Sequence, residues 1–163
     1  MKTPVLHGVN ISVFVIAVIA VLTGAFAFAD NDPRDRHERY DCDIVIHLKH
    51  HTEDLQAAIT AVGLGTNLAS SGCKTTLFLT LRGVRLADAR VPQNLAFGRN
   101  DLGAPTLEEA VTDFQAVGGA IAICPPCAAQ IGLTYEDLIP GATIPTAAEV
   151  ARLFRNSDAV IDF

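Results

Sequence analysis

The residues best suited to chemistry in this sequence are two cysteines separated by two prolines, Cys124-Pro-Pro-Cys127. They follow the apolar run from Ala120 to Ile123, which predicts a buried strand, and they precede a short segment that suits a helix. A thiolate at the start of a helix is stabilised by free backbone N–H groups and by the helix dipole, which lowers the pKa of the thiol. Such a thiolate can accept a sulfur atom as a persulfide or open a disulfide, with the second cysteine close enough to resolve the product.

The same spacing also suits a structural disulfide or an inert pair of thiols. A zinc site fits it less well, because the sequence has no second Cys-x-x-Cys motif. We therefore expect redox or sulfur chemistry at Cys124 and Cys127, with the structural role as the alternative.

Three histidines lie at and just after the end of an apolar run, Ile44 to Leu48: His47, His50 and His51. Three imidazoles can bind a metal ion, and a single imidazole can carry protons to or from Cys124. The neighbours His50 and His51 need not face the same way, and an ordinary hydrogen-bonded or solvated role explains each histidine as well. The three are therefore weak metal candidates, and no segment indicates an organic cofactor.

Other residues with chemical potential have roles that the sequence leaves open. Four cysteines allow three pairings, so Cys42 and Cys73 are expected to be either bonded to each other or free. Four arginines lie in or beside an irregular segment, 83–104, and could hold an anionic substrate, although a solvated loop explains them equally well. These arginines are Arg82, Arg85, Arg90 and Arg99.

Strand and helix patterns alternate around these residues. A helical stripe is predicted to begin at an N-cap, Thr52, and to end at Gly72. Capping boxes begin two more helices at Thr106 and Thr146. Runs typical of buried strands occupy 44–48, 75–81, 120–123 and 159–163.

This alternation predicts an α/β fold of three layers, α/β/α, with a mainly parallel sheet of about five strands. In such sheets, functional sites collect at the carboxyl ends of the strands, which is where Cys124 and His47 are expected to lie.

The segment 83–104 has no regular period but contains six sizeable apolar residues. In a small monomer these side chains would fold back as a lid or leave an exposed apolar patch, which usually marks an interface. We therefore expect a homo-oligomer. The six residues are Val84, Leu86, Val91, Leu95, Phe97 and Leu102.

The first 29 residues predict export. Lys2 precedes an apolar run, Ile11 to Leu22, and Ala27-Phe28-Ala29 is a small-x-small pattern that signal peptidase accepts. An uncleaved membrane anchor is the alternative, since Ile11 to Ala29 is 19 residues and could just span a bilayer. In either case, a polar tether at 30–43 would connect to a domain at 44–163 in an extracytoplasmic, oxidising space, the periplasm in a Gram-negative bacterium.

The charge balance argues against nucleic acid as a partner. Lys2 is the only charged residue before Asp30, so the rest of the chain carries 11 basic and 18 acidic residues. Binding to phosphates requires a basic face, and the sequence shows none.

From Ile44 onward the sequence resembles the DsrE/DsrF family, which includes TusD-like sulfur relay proteins. The resemblance covers about 120 residues and rests on the stretches DIVIHLKH, TLFLTLRGVRL, TLEEAVTDFQAVGG, AIAICPPCAAQIGL and DAVIDF. The stretch from Cys124 to Gly132 is the distinctive one, because the others follow a general α/β pattern. The family implies persulfide transfer by Cys124, a parallel-sheet fold, and trimeric or hexameric assembly.

Together, the residues and the resemblance predict a sulfur-handling protein, a sulfurtransferase or a sulfur carrier. Cys124 would carry sulfane sulfur and Cys127 would resolve it, with thiol proteins or small sulfur compounds as donor and acceptor. Two alternatives stand beside this hypothesis. One is a periplasmic thiol–disulfide oxidoreductase that uses the same cysteines, and the other is a non-catalytic binding module in which the cysteines are inert.

Overall fold

The structure, a computed structural model, describes residues 41–96 and 104–163. The predicted leader at 1–29 and residues 30–40 of the predicted tether lie outside these ranges. Within the two ranges, no helix is both long enough and apolar enough to cross a bilayer.

Five strands form one parallel sheet in the order β4-β3-β2-β1-β5. This confirms the predicted α/β fold. The sequence did not indicate β4, because a strand of two residues leaves no detectable period. The strands are β1 (Asp43–Leu48), β2 (Lys74–Leu79), β3 (Ala120–Ile123), β4 (Ala142–Thr143) and β5 (Ala159–Asp162).

Within residues 41–96 and 104–163, four α-helices and three short 3₁₀ helices connect the strands. The α-helices are α1 (Leu55–Ser70), α2 (Leu107–Ala116), α3 (Pro125–Gln130) and α4 (Ala147–Asn156). The 3₁₀ helices are Thr52–Asp54, Leu81–Ala87 and Tyr135–Asp137.

The predicted capping boxes are present at the starts of α2 and α4. Thr106 Oγ1 accepts the Glu109 N–H at 3.2 Å, and Thr146 Oγ1 accepts the Glu149 N–H at 3.3 Å. Each glutamate carboxylate accepts the threonine N–H in return, at 2.8 Å and 2.7 Å. These bonds satisfy donors that the first turn of a helix leaves free.

The predicted cap of α1 was wrong. Thr52 begins a 3₁₀ turn, and Asp54 is the residue that caps the α-helix, since its Oδ1 accepts the Ala57 N–H at 3.0 Å. Both residues are good cap formers, and the choice depends on the extra turn between β1 and α1. The end of α1 is as predicted, with Gly72 in the left-handed region at φ 100°.

The two faces of the sheet are covered unequally. One face packs on α1 and α2 in a large core in which Phe114 is fully buried. A Cβ at Gly119 would overlap the Phe114 ring, so this approach requires glycine. The opposite face has a small cluster, Val45, Phe78 and Ala122, against which α4 packs without fully burying any of its own residues.

Part of the irregular segment that follows β2 folds into the core. Val84 and Leu86 are fully buried in the 3₁₀ helix Leu81–Ala87, so these two residues fold back into the core and contribute to no exposed apolar patch. A Cβ at Gly83 would overlap the Leu48 carbonyl oxygen, and this close contact lets the 3₁₀ helix pack against the end of β1. Phe97 and Leu102 lie outside the described residues.

A disulfide joins Cys42, just before β1, to Cys73, just before β2, with a Cα–Cα distance of 4.7 Å. Of the three pairings that the sequence allowed, this one leaves Cys124 and Cys127 as free thiols. The bond fixes the amino-terminal ends of two adjacent parallel strands. Next to it, the Lys74 N–H donates to the Cys42 carbonyl at 2.8 Å.

Buried Asp88 makes a second long-range connection. Arg90 Nε and Nη2 donate to its two carboxylate oxygens at 2.8 Å and 3.0 Å, and Arg90 also contacts Asp137 at 3.2 Å. The Ala89 N–H donates to the Asp137 carbonyl at 2.8 Å, so the segment after β2 is held against the segment after α3. Arg90 is thereby committed to carboxylates of its own chain, unlike the substrate-binding role that the sequence left open. Arg99 lies outside the described residues.

We expect the Cys42→Ser/Cys73→Ser variant to lose about 3–4 kcal/mol of unfolding free energy, because the disulfide closes a loop with a sequence separation of 31. Urea denaturation followed by circular dichroism measures this difference. The matched control is Cys124→Ser/Cys127→Ser, which removes two thiols without opening a loop and should change stability far less. Equal stability of the wild type with and without a reductant would contradict the prediction.

We expect Asp88→Asn to lower the unfolding free energy by about 1–3 kcal/mol, as is typical for loss of hydrogen bonds to a charged group. The bond from Arg90 holds the pKa of Asp88 below its ordinary value. This stabilisation is therefore complete above about pH 4 and is lost as the pH falls through the lower, folded-state pKa.

Chemical denaturation at about pH 7 and about pH 2.5 tests both statements. The difference in unfolding free energy between the wild type and Asp88→Asn should be smaller at the acidic pH. Asp113→Asn, which removes an exposed carboxylate on α2, is the matched control and should be nearly neutral. An equal difference in unfolding free energy at both pH values would contradict the prediction.

Candidate functional site

The cysteine pair, Cys124 and Cys127, lies where β3 passes into α3. The Cys124 N–H donates to the Leu79 carbonyl at 2.9 Å, which continues the sheet by one residue. The Cys124 carbonyl then accepts the Ala128 N–H at 2.9 Å, which begins the helix. Pro125 occupies the first helical position, where no N–H donor is needed. The predicted transition from strand to helix is confirmed.

The two half-buried thiols face different parts of the core. Cys124 packs against the small cluster under α4, whereas Cys127 packs against the large core. The two thiols are close enough for Cys127 to shift the pKa of Cys124. Cys127 Sγ accepts the backbone N–H of Leu81 at 3.3 Å.

The pKa of Cys124 is raised above the ordinary value of a thiol. Burial is the main cause, and the side-chain hydrogen bond with Cys127 is the second. The expectation of a lowered pKa at Cys124 was therefore wrong. Desolvation disfavours the thiolate, and this effect outweighs that of α3, which has only six residues. At neutral pH the resting Cys124 is protonated and needs a base or an incoming partner to become a nucleophile.

His47 forms a hydrogen-bonded chain across three adjacent strands. Its Nδ1 lies 2.6 Å from Asp162 Oδ1, and its Nε2 lies 2.7 Å from Thr80 Oγ1. The carboxylate favours a proton on Nδ1, which lets Nε2 accept the Thr80 hydroxyl proton. The pKa of Asp162 is lowered below its ordinary value. The main cause is Lys49, 3.2 Å away, and the second is His47.

This chain holds the turn that touches the cysteine pair. Leu81 follows Thr80 directly and has a φ of 49°, a conformation that a leucine rarely adopts. Two hydrogen bonds of Thr80 anchor the turn. Its side chain is bonded to His47, and its N–H donates to the Leu48 carbonyl at 3.0 Å. They keep the Leu81 N–H directed at Cys127 Sγ. Sequence reasoning missed Leu81, because its contribution is a backbone N–H and its side-chain type carries no signal.

The other two candidate histidines point elsewhere. His51 is buried, and its Nε2 lies 3.0 Å from Gln93 Oε1, whereas His50 Nδ1 lies 3.6 Å from Glu53 Oε1. Among residues 41–96 and 104–163, no group of three His, Cys, Asp or Glu side chains is arranged to hold a metal ion. Each of the three histidines instead has a hydrogen-bonding or ionic role within the domain.

A cleft of about 810 Å³ opens at the carboxyl edge of the sheet, beside the cysteine pair. It lies between the ends of β1 and β2 and helix α3. Its lining residues are Lys49, His50, Thr52, Glu53, Leu81, Arg82, Arg85, Gln130 and Ile131.

The DsrE/DsrF-like family matches this chain over residues 42–163, which include all five strands and both free cysteines. The chain belongs to the DsrE/DsrF-like family. The match begins at the disulfide-bonded Cys42 and ends with the last residue of the chain.

Three proteins illustrate the similarity. The uncharacterised protein MJ0989 of Methanocaldococcus jannaschii is 26% identical over 108 residues, which are 66% of this chain and 88% of that protein. The crystal structure of the Escherichia coli ychN protein covers 75% of this chain and 99% of its own, at 21% identity and a TM-score of 0.60. The structure of MTH1491 from Methanobacterium thermoautotrophicum, a protein of unknown function, covers 76% and 100%, at 16% identity and a TM-score of 0.54. The two solved structures share the fold of this DsrE/DsrF-like domain.

We expect alkylation of Cys124 by iodoacetamide to speed up with rising pH without levelling off below about pH 9, because its pKa lies above the ordinary value. Peptide mass spectrometry over a pH series measures the rate. Phe154→Ala removes a ring that covers this side of the sheet and should move the profile to lower pH, since burial is the main cause of the shift. A plateau near neutral pH in the wild type would contradict the assignment.

Proposed function

We propose that this DsrE/DsrF-like domain carries sulfane sulfur as a persulfide on Cys124, with Cys127 as the resolving thiol. The observation that carries the proposal is the free cysteine pair at the carboxyl end of β3, in a family associated with sulfur relay. The other two cysteines are bonded to each other at the opposite ends of the strands. Only Cys124 and Cys127 are therefore available for exchange.

The proposed reaction has two steps. The Cys124 thiolate attacks the sulfane sulfur of a donor and forms Cys124–S–S⁻, while the remainder of the donor leaves with the electron pair of the broken bond. An acceptor thiolate then takes the outer sulfur and returns Cys124 to the thiolate. If no acceptor arrives, the Cys127 thiolate attacks the inner sulfur, which gives a Cys124–Cys127 disulfide and releases hydrogen sulfide.

The raised pKa of Cys124 suits a carrier that should not react with every electrophile it meets. Burial keeps the resting thiol protonated, and reaction begins when a bound donor or partner changes its surroundings. Cys127 is also half-buried, and its Sγ accepts the Leu81 N–H, which orients it for the resolving step.

We also propose that the domain works outside the cytoplasm, as a secreted protein or on a membrane anchor formed by residues 1–29. The Cys42–Cys73 disulfide supports this location, because such bonds persist in oxidising compartments. Donor and acceptor would then be thiol proteins or small sulfur compounds of that compartment.

A homo-oligomer, a trimer or a hexamer, remains our proposal for the assembly. The face of the sheet under α4 supports it, since α4 buries none of its residues fully and Val160 on the edge strand β5 is 45% exposed. Such incompletely covered apolar surface suits contact with another subunit.

A thiol–disulfide oxidoreductase is the second candidate. The proximity of the two free thiols favours it, because Cys127 lies close enough to Cys124 to shift its pKa. A redox titration separates the two roles of the pair. A labile couple should have a potential well above about −300 mV, whereas a structural bond would lie below that value.

We expect the reduced protein to gain about 32 Da, the mass of one sulfur atom, after incubation with polysulfide. The gain should map to the peptide that contains Cys124 and should be absent in Cys124→Ser. Cys127→Ser should keep the added sulfur for longer, because the resolving thiol is missing. Mass spectrometry under non-reducing conditions gives both results. An unmodified wild type, or an equal gain in Cys124→Ser, would refute persulfide transfer on Cys124.

A further inference from the structure

The cleft beside the cysteine pair concentrates positive charge in a chain that is acidic as a whole. The full chain has 18 acidic and 12 basic residues, yet Lys49, Arg82 and Arg85 all line this one cleft. Among the described residues of the lining, Glu53 is the single acidic one. Charge of one sign collected in a cleft attracts ligands of the opposite sign more strongly than the same charges spread over a surface.

The charges in the cleft are unequally neutralised. Glu53 interacts with His50, and its Oε2 accepts the His51 N–H at 3.2 Å, so its negative charge is engaged. Lys49 is paired with Asp162 at 3.2 Å. Arg82 and Arg85 are exposed and have no ion-pair partner among the described residues. Arg85 acts electrostatically on Asp88 without forming an ion pair with it, so both guanidinium groups can still bind an anion.

The cleft adjoins Cys127 through one shared residue, Leu81, and neither cysteine is among its lining residues. Leu81 lines the cleft, and its backbone N–H is the donor to Cys127 Sγ. Gln130 and Ile131, which follow Cys127 in and just after α3, line it as well. An anion held by Arg82 and Arg85 would share this cleft with Leu81, the residue whose N–H contacts Cys127 Sγ.

We propose that this cleft binds the anionic group of the sulfur donor, and that the donor is a small anion containing a sulfur–sulfur bond. The inference rests on the proposed persulfide function and specifies its substrate class. Arginine suits the task, because its planar guanidinium donates paired hydrogen bonds to oxyanions and keeps its charge at every relevant pH. Inorganic thiosulfate and carboxylate-bearing organic persulfides share this chemistry.

For thiosulfate the transfer balances without any further reactant. The Cys124 thiolate attacks the sulfane sulfur, a sulfur–sulfur bond forms at Cys124, and the bond to the sulfonate sulfur breaks. Sulfite leaves with the electron pair, so Cys–S⁻ and S₂O₃²⁻ give Cys–S–S⁻ and SO₃²⁻. The arginines bind the oxyanion end before and after the transfer and take no part in the bond changes.

The first test measures the charge preference of the cleft independently of persulfide chemistry. In the reduced full chain, the free thiols are alkylated with anionic iodoacetate and, separately, with neutral iodoacetamide. We expect Arg82→Gln/Arg85→Gln to lower the ratio of the two rates about three- to tenfold, since the local field that attracts the anion is lost. The neutral reagent should react at an unchanged rate, which also shows that the thiol environment remains folded.

The matched control is Arg152→Gln/Arg155→Gln, which removes the same two charges from exposed positions on α4 outside the cleft lining. Its rate ratio should equal that of the wild type. An equal ratio in the cleft variant and the wild type would overturn the anion site. So would an equal fall in both double variants, because net charge alone would then explain it.

The second test compares sulfur donors by mass gain at Cys124. Thiosulfate and glutathione persulfide are the two anionic donors. The donor whose sulfur transfer to Cys124 depends on Arg82 and Arg85 is the one that the cleft binds. Sulfur transfer from both donors that is unchanged when the two arginines are replaced would overturn the proposed substrate class. The wild type could fail to form a persulfide with either donor while its alkylation ratio still depends on the two arginines. That result would refute the proposed function and the donor assignment, and it would show that the cleft attracts anions.

Discussion

The parallel pairing of β1 with both β2 and β5 is the constraint on which the rest of the site depends. It places His47 opposite Phe78 on one side and opposite Asp162 on the other. Since the strands run in the same direction, their carboxyl ends meet at one edge, where Thr80 and Cys124 follow the ends of β2 and β3. A register shift of one residue would turn the His47 side chain to the other face and break its chain of hydrogen bonds.

The cysteine pair lies between two parts of the core. Cys124 is covered on the α4 side of the sheet, and the resulting desolvation raises its pKa. Cys127 lies on the other side and receives a backbone N–H from a turn with an unusual φ. That turn is held by His47 rather than by the cysteines themselves. The histidine thus acts at a distance, as a positioning residue, and a metal role is unnecessary to explain it.

Local patterns in the sequence predicted most of the fold. The capping boxes of α2 and α4, the glycine after α1 and the apolar run of β3 are each encoded within a few neighbouring residues, and all are present in the structure. The incorrect predictions concern features that the surrounding tertiary structure decides. Thr52 begins an extra turn instead of capping α1, and burial reversed the expected direction of the Cys124 pKa shift.

The sequence by itself determined the α/β class, the starts of α2 and α4, and the position of Cys124 between a strand and a helix. These features depend on side-chain period and on bonds that reach three or four residues along the chain. Tertiary structure alone decided the Cys42–Cys73 pairing, the His47 contact with Asp162 at a sequence separation of 115, and the Leu81 bond to Cys127 at a separation of 46. A one-dimensional pattern cannot specify such contacts, because they depend on the order in which the strands assemble into the sheet.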